Sequence, residues 1–249
     1  MNYIILNGKK STMVKGLMIQ SLPPITKPMI RTRIEEIDGR DGDIVTKLGY
    51  SAYDRELSIG LFGDYDIAEV MKYFDSDGEV IFSNELDRVY RYQILNQIDY
   101  ERLGIFKKAV VKFHVQPFKY SSTSDAFSYT VTQGAAVNYG RIINEGNTYA
   151  KPIFEINYRN RDTQTLTVGQ SVNNAGVVVG NTISINMAAM SKVLIDVENM
   201  TAYDIDTGLL VNRKISGDYS KMIFLPGVNY VQMNTYSYQM TVKKISRWI

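Results

Sequence analysis

Val111-Lys112-Phe113-His114-Val115-Gln116 alternates apolar and polar side chains without a break. A β-strand turns successive side chains to opposite faces, so Val111, Phe113 and Val115 share one face and Lys112, His114 and Gln116 the other. The same period of two recurs at Leu57, Ile59 and Leu61 and again at Tyr90, Tyr92 and Ile94. These segments read as half-buried strands. One stretch keeps a different period: in Asp66-Ile67-Ala68-Glu69-Val70-Met71-Lys72-Tyr73-Phe74, the positions Ile67, Val70, Met71 and Phe74 follow the i, i+3, i+4, i+7 spacing of a helix face. Asp66 suits its N-cap, Glu69 a reciprocal capping-box role, and Gly78 follows soon after its end. The first half therefore reads as strands with a single helix covering a sheet face.

Between the first strands, Gly39-Arg40-Asp41-Gly42-Asp43 has the composition of a hairpin tip, because Asp and Gly tolerate positive φ. Upstream, Pro23, Pro24 and Pro28 exclude a central strand and point to an edge or loop. From about residue 118 to 135 the composition shifts, after Pro117, to Ser121-Ser122-Thr123-Ser124 and then Gly134-Ala135-Ala136, which places a domain boundary there, dividing the chain into 1–130 and 131–249. Beyond it, short strands separated by turn residues every ~8 to 12 positions predict an all-β domain. The candidate strands are 153–158, 165–168, 177–179, 182–186, 193–197, 203–205 and 228–233, with Gly180-Asn181 as a two-residue hairpin and Pro226-Gly227 as a type II turn. A β-sandwich is the simplest architecture for that half. No internal repeat of 20 to 50 residues is visible, which argues against solenoids and propellers.

The 249 residues carry 28 basic and 26 acidic side chains, a net charge of +2, and neither half departs far from neutrality. That balance does not suit a dedicated nucleic-acid binder. No run approaches the ~18 to 20 apolar residues of a membrane helix and no cleavable signal pattern opens the chain, so a soluble protein made in a cytoplasm is expected. Cysteine is absent, which removes disulfides, thiolate metal sites and cysteine nucleophiles. Eighteen tyrosines against one tryptophan suit strands and interfaces.

Catalytic groupings are scarce. His114 is the sole histidine, so a triad depends on one residue that otherwise reads as an ordinary surface or interface position on a strand, and a two-histidine metal site is impossible. Asp196 with Glu198, and Asp204 with Asp206, each fall on one strand face. An i, i+2 pair stands on one side of a substrate only ~7 Å apart, whereas glycoside hydrolysis needs acids on opposite sides. Asp204-Ile205-Asp206-Thr207-Gly208 resembles part of a calcium loop but lacks the later acidic ligand, so a turn is the better reading. Gly134 and Gly140 form no phosphate-binding loop. No cofactor or metal is expected. Sugar binding by the second half rests on fold analogy, because the one tryptophan, Trp248, is penultimate. Lys243, Lys244 and Arg247 read as a solvated or interface edge.

The order of the turns resembles the distal tail protein family of long-tailed, non-contractile phages. Leu6-Asn7-Gly8 followed by Gly16-Leu17 is similar to that family's first hairpin, and Arg40-Asp41-Gly42 to its RDG turn. Gln116-Pro117-Phe118 is similar to the end of its first domain. Asn144-Glu145-Gly146-Asn147-Thr148-Tyr149-Ala150-Lys151-Pro152 resembles the opening of its second, and Phe224-Leu225-Pro226-Gly227-Val228-Asn229 a late PGxN-type turn. The resemblance spans nearly the whole chain. It implies a mainly β fold, with a tail-tube-like N-terminal β-sandwich carrying one helix and a C-terminal galectin-like or jelly-roll β-sandwich. It implies a homo-hexameric ring in the virion, joining the end of the tail tube and the tape measure protein to tail-tip, baseplate or receptor-binding proteins, with no reaction catalysed. The expected subunit contact is Arg40, Asp41, Gly42, Tyr50 and Tyr53; packing of both tyrosines on their own core is the competing reading. The alternative function is a carbohydrate-binding protein acting through the C-terminal sandwich, and a hydrolase is third.

Overall fold

The computed structural model describes residues 1–99, 101–103, 106–123, 126–132, 138–158, 162–235 and 237–249. Ser124 and Gly134 to Ala136, quoted above for their composition, lie outside the described residues. The protein is mainly β, with one α-helix among the described residues. Its contacts divide into two compact units, residues 1–123 with Ile249, and residues 124–248.

In the first unit the strands are β1 (Ile4–Leu6), β2 (Lys9–Lys10), β3 (Leu17–Ser21), β4 (Ile30–Glu35), β5 (Ile44–Tyr50) and β6 (Tyr53–Leu61). The helix α1 (Ile67–Phe74) follows, then β7 (Gly78–Phe82), β8 (Arg88–Ile94), β9 (Glu101–Leu103) and β10 (Phe106–Ser121). The main sheet runs β2-β1-β7-β8-β10-β6-β3, with β9 added to β10. Asn7 and Gly8 both have positive φ, as a two-residue turn between β1 and β2 requires. The period-two residues face inward as read: Leu57, Ile59, Leu61, Tyr90, Tyr92, Val111, Phe113 and Val115 are all buried, with Ile94 packed partly against them. Phe113 sits edge-on to Phe82 and Tyr92 at 5.7 and 5.1 Å, so the aromatic rings lock the centre of the sheet.

Two local expectations change. The helix buries Val70, Tyr73 and Phe74 and leaves Met71 exposed, a rotation of the stripe by less than one turn that lets the Tyr73 hydroxyl donate to the Lys9 carbonyl at 3.0 Å. Asp66 caps as expected, accepting from the Ala68 amide at 2.8 Å, but Glu69 pairs with Lys9 at 3.3 Å instead of closing a capping box. The strand through Val111 does not end at Gln116-Pro117-Phe118 either: β10 continues to Ser121. Its pairing with β8 slips between Val115 and Lys119, a bulge that accommodates a residue with no N–H to give the ladder.

The second unit holds β11 (Ala126–Val131), β12 (Tyr139–Asn144), β13 (Ile153–Asn157), β14 (Thr163–Val172), β15 (Val178–Asn186) and β16 (Lys192–Asp196). They are followed by β17 (Thr201–Asp204), β18 (Ile215–Ser216), β19 (Gly227–Met233) and β20 (Tyr238–Lys243). They form two antiparallel sheets, β11-β20-β13-β16-β17 and β12-β19-β14-β15-β18, closed on one core. Phe154, Ile156, Val193, Ile195, Met240 and Val242 come from the first sheet, and Leu166, Val168, Ile183, Ile185, Val231 and Met233 from the second. This is a β-sandwich. Gly180-Asn181 is not its hairpin: both lie inside β15, paired with Gly169 and Val168. A Cβ on Gly180 would stand 2.0 Å from the Val168 carbonyl oxygen, so the glycine serves a close strand approach rather than a turn. The chain reverses instead at Asn173, whose Oδ1 accepts from the Ala175 and Val177 amides at 3.0 and 2.9 Å.

Burial raises the phenols of Tyr73, Tyr90 and Tyr129 well above their usual range, and for Tyr90 a hydrogen bond to the Glu85 carboxylate adds to it. The native state keeps these protons while the unfolded chain releases them near pH ~10. Their contribution to stability is thus complete below that pH and is lost as pH rises through the folded-state values. A spectrophotometric titration is expected to show fewer than the 18 tyrosines ionising until the far-UV circular dichroism collapses; full ionisation of a native chain near pH ~10 would contradict this burial.

Candidate assembly interface

The strands β4 and β5 form a ribbon that belongs to no other sheet. Their sequences, IRTRIE and IVTKLGY, have the β-branched and alternating character that favours extended backbone. Yet no residue of either strand is buried. Ile34 and Val45, paired across the ribbon, are 58% and 56% exposed, Leu48 is 56% exposed, and Met29 at the base 70%. A register slip between Arg31 and Thr32 leaves Leu48 without a cross-strand partner. Two strands alone are at best marginally stable in water, and unpaired edges with exposed aliphatic side chains invite pairing with another chain.

Arg40, Asp41 and Gly42 lie in the connection from residue 36 to 43, all exposed, with Gly42 at φ +77°. The structure gives Tyr50 and Tyr53 intrachain contacts. Tyr50 at the end of β5 meets Phe118 edge-on at 5.7 Å. Tyr53 packs against the core of its unit and donates its hydroxyl to the Thr26 carbonyl at 3.4 Å, and burial raises its phenol pKa. The root of the ribbon is closed by the Ser51 amide donating to the Met29 carbonyl at 2.9 Å. The three-residue tip and the two tyrosines therefore occupy opposite ends of one element.

His114 Nδ1 lies 2.8 Å from Asp54 Oδ1 on the solvent side of β10 and β6. Its paired neighbours are Asp54 on one strand and Gln93 on the other, neither of which offers a hydroxyl nucleophile. Asp204 and Asp206 differ in burial, the first inside and the second exposed. Asp204 is buried and accepts from the Asp206 amide and the Thr207 hydroxyl at 3.0 and 2.9 Å, closing a turn. Asp206 is held by the Ser191 hydroxyl at 2.7 Å and by Lys192 at 3.3 Å, and the bond from Ser191 lowers its pKa. Glu198 lies beyond β16 and pairs with Arg247 at 3.2 Å, so Arg247, 1% exposed, is a buried ion-pair partner and not part of a solvated edge. Among the described residues no group of three or more acidic or histidine side chains could hold a metal ion.

No family profile and no curated protein sequence matches the chain. Among solved structures, it superposes on the SPP1 Dit (gp 19.1) protein, described as a paradigm of the hub adsorption apparatus in Gram-positive infecting phages, with a TM-score of 0.67 at 17% identity over 98% of each chain. The baseplate of phage P2 in its activated conformation with calcium gives a TM-score of 0.47 at 12% identity, over 100% of this chain and 99% of that one.

The chain has the fold of the SPP1 hub protein.

Two of the motifs that carried the resemblance to distal tail proteins, 144–152 and 224–229, lie at turns closed by the buried Asn144 and Asn229. Asn144 Oδ1 accepts from the Gly146 amide at 3.0 Å while Nδ2 donates to the Thr148 and Phe224 carbonyls at 2.9 and 3.1 Å. Asn229 spans its own turn in the same manner, between the amide and carbonyl of Leu225 and the carbonyl of Gly227. Paired bonds between Ala150 and Phe224, at 2.8 and 2.9 Å, join the two turns. What the sequence did not expose was the complete lack of burial along β4 and β5, because aliphatic alternation reads the same whether or not a core lies beneath it.

Since Val45 and Leu48 bury little in the single chain, replacing both by serine is expected to change the stability of the chain measured below any association threshold by no more than about 0.5 kcal/mol each. Urea unfolding checks this; a loss of several kcal/mol would place both side chains in an intrachain core.

Proposed function

We propose that the protein is a structural component of a phage tail, a ring of six copies that joins the end of the tail tube to the tip or baseplate. The observation that carries this reading is the ribbon β4–β5, which extends from its unit with its apolar side chains and both edges uncovered. A neighbouring copy can cover it, and a head-to-tail contact of that kind closes into a ring when the rotation between copies divides the circle. A hub fold shared end to end with the SPP1 protein supports the same role.

In this reading the first unit, read from the sequence as 1–130, is the tail-tube-like, ring-forming domain, and the second, which includes β11 and was read as 131–249, is a galectin-like sandwich. Arg40, Asp41 and Gly42 at the ribbon tip and Tyr50 near its base face the next copy, while Tyr53 supports the root from within its own unit. The partners are the tail tube protein, the tape measure protein and the tip, baseplate or receptor-binding proteins. The site of action is the virion, after synthesis in the cytoplasm of the bacterial host. The role needs no cofactor and no catalytic step. Sugar binding has less support. Tyr139 and Tyr230, a half-buried aromatic pair of the sandwich, stand edge to face at 5.4 Å rather than presenting one flat stacking surface.

Native mass spectrometry of the purified chain, alone and with tube protein, tests the proposal. The expected species has six times the mass of the chain and appears as a six-fold annulus by electron microscopy. The serine pair at Val45 and Leu48 is expected to shift it to monomer without unfolding. A wild-type chain that stays monomeric at every concentration and beside tube protein, or a ring that survives the double substitution, overturns the assignment.

A further inference from the structure

Arg55 lies on β6 and is 2% exposed. Its guanidinium is packed against the rings of Phe82 and Tyr90, 4.5 and 4.4 Å from their centroids. The nearby carboxylate, Glu85, is shared: it takes Lys119 at 2.8 Å and the Tyr90 hydroxyl, and reaches Arg55 Nη1 only at 3.7 Å. Nε and Nη1 of Arg55 have no hydrogen-bond acceptor among the described residues. Both hydrogen bonds of this buried cation leave from Nη2, to the carbonyls of Pro23 at 3.2 Å and Pro24 at 2.9 Å.

Those carbonyls belong to a stretch that a sheet cannot hold. Proline has no N–H to give a ladder, so Pro23 and Pro24 can be fixed only through their oxygens. Asn84 Nδ2 supplies another donor to Pro23 at 3.2 Å. From there the chain runs past Thr26, which accepts from Tyr53, to Met29, which accepts from Ser51, and the ribbon begins. We infer that Arg55 is a positioning residue: by latching Pro23-Pro24 it sets the direction in which the ribbon β4–β5 leaves its unit. The delocalised guanidinium packs against two rings that meet edge to face at 5.4 Å while donating twice from one nitrogen; a lysine ammonium has donors enough but is a compact, strongly hydrated point charge without that plane. The consequence for ring closure rests on the function proposed above; the latch itself does not.

The chain lacks cysteine, so a spin-label pair at Asp41→Cys and Glu56→Cys reads the direction of the ribbon against its sheet without background. The measurement uses the full chain, diluted with unlabelled protein. A single narrow distance distribution is expected with Arg55 present. In Arg55→Met, which keeps an apolar stem against the rings, the distribution is expected to widen at least twofold, and Arg55→Lys does not restore it. Asn84→Ala, at an exposed position, is expected to widen it to a smaller degree, and decides alone if Arg55→Met does not fold. Equal widths with and without these donors, or a wild-type distribution already as broad as that of the variants, overturn the latch. Native mass spectrometry of the same samples separates the two ideas. A monomeric wild type with a narrow distribution sinks only the ring, and intact rings with a widened distribution sink the link between latch and assembly.

Discussion

A two-stranded ribbon has two faces and two edges and no interior, and between Ile30 and Tyr50 every one of these surfaces is open except at the root. Burial of aliphatic side chains is the main favourable contribution to folding, roughly 25 cal/mol for each Å² removed from water. Ile34, Val45 and Leu48 contribute little of it within one chain. The main sheet of the same unit does the opposite, closing Leu57, Ile59, Val111 and Phe113 completely away from solvent. The unit thus pairs a saturated core with an unsaturated arm. The assembly proposed above needs both, since the core must stand while the arm waits for its cover.

Holding such an arm in one direction requires a rigid base, and the base here is built from an unusual choice of groups. Two cations, Arg55 and Lys119, share one carboxylate in the interior, an arrangement in which desolvation offsets much of the Coulomb attraction. Apolar side chains of similar volume would serve stability as well or better. What they could not do is donate hydrogen bonds to the carbonyls of a proline pair. The ionic group therefore makes sense as a means of fixing position, and the aromatic rings of Phe82 and Tyr90 supply the cation–π attraction that helps keep the guanidinium in the interior.

Much of this architecture was legible in the sequence because it rests on short-range rules. Period-two alternation located β6, β8 and β10, and the helical spacing located α1. The errors share a cause as well. Met71 and Tyr73 are both compatible with the helix face, and only the position of the Lys9 carbonyl decides between them. Gly180-Asn181 has hairpin composition, but the glycine is needed because another backbone approaches it, a fact held by Val168 twelve residues away. Pro117 looks like a terminator until the slip in register that accommodates it is seen. In each case a tertiary neighbour overrode a local preference. The proposed interface residues divide the same way: the tip at Arg40 to Gly42 follows from turn chemistry, whereas the inferred dependence of the ribbon root on Arg55 could not be read from spacing.

The residues that carried the resemblance to distal tail proteins explain why it reached so far along the chain. Asn144 and Asn229 are buried, each satisfies several backbone groups at once, and the turns they close are joined through Ala150 and Phe224. Leaving such groups unpaired in the interior would cost about 1 to 3 kcal/mol apiece, so few other side chains fit these positions. Strand faces, by contrast, accept many aliphatic sequences of similar volume. The fold is shared with the SPP1 protein at 17% identity. In an enzyme such agreement would say little about function, because the chemistry would sit in residues unrelated to the turns. Under the function proposed above, the protein acts through its shape, and the groups that fix the turns and the latch that aims the ribbon become the functional residues.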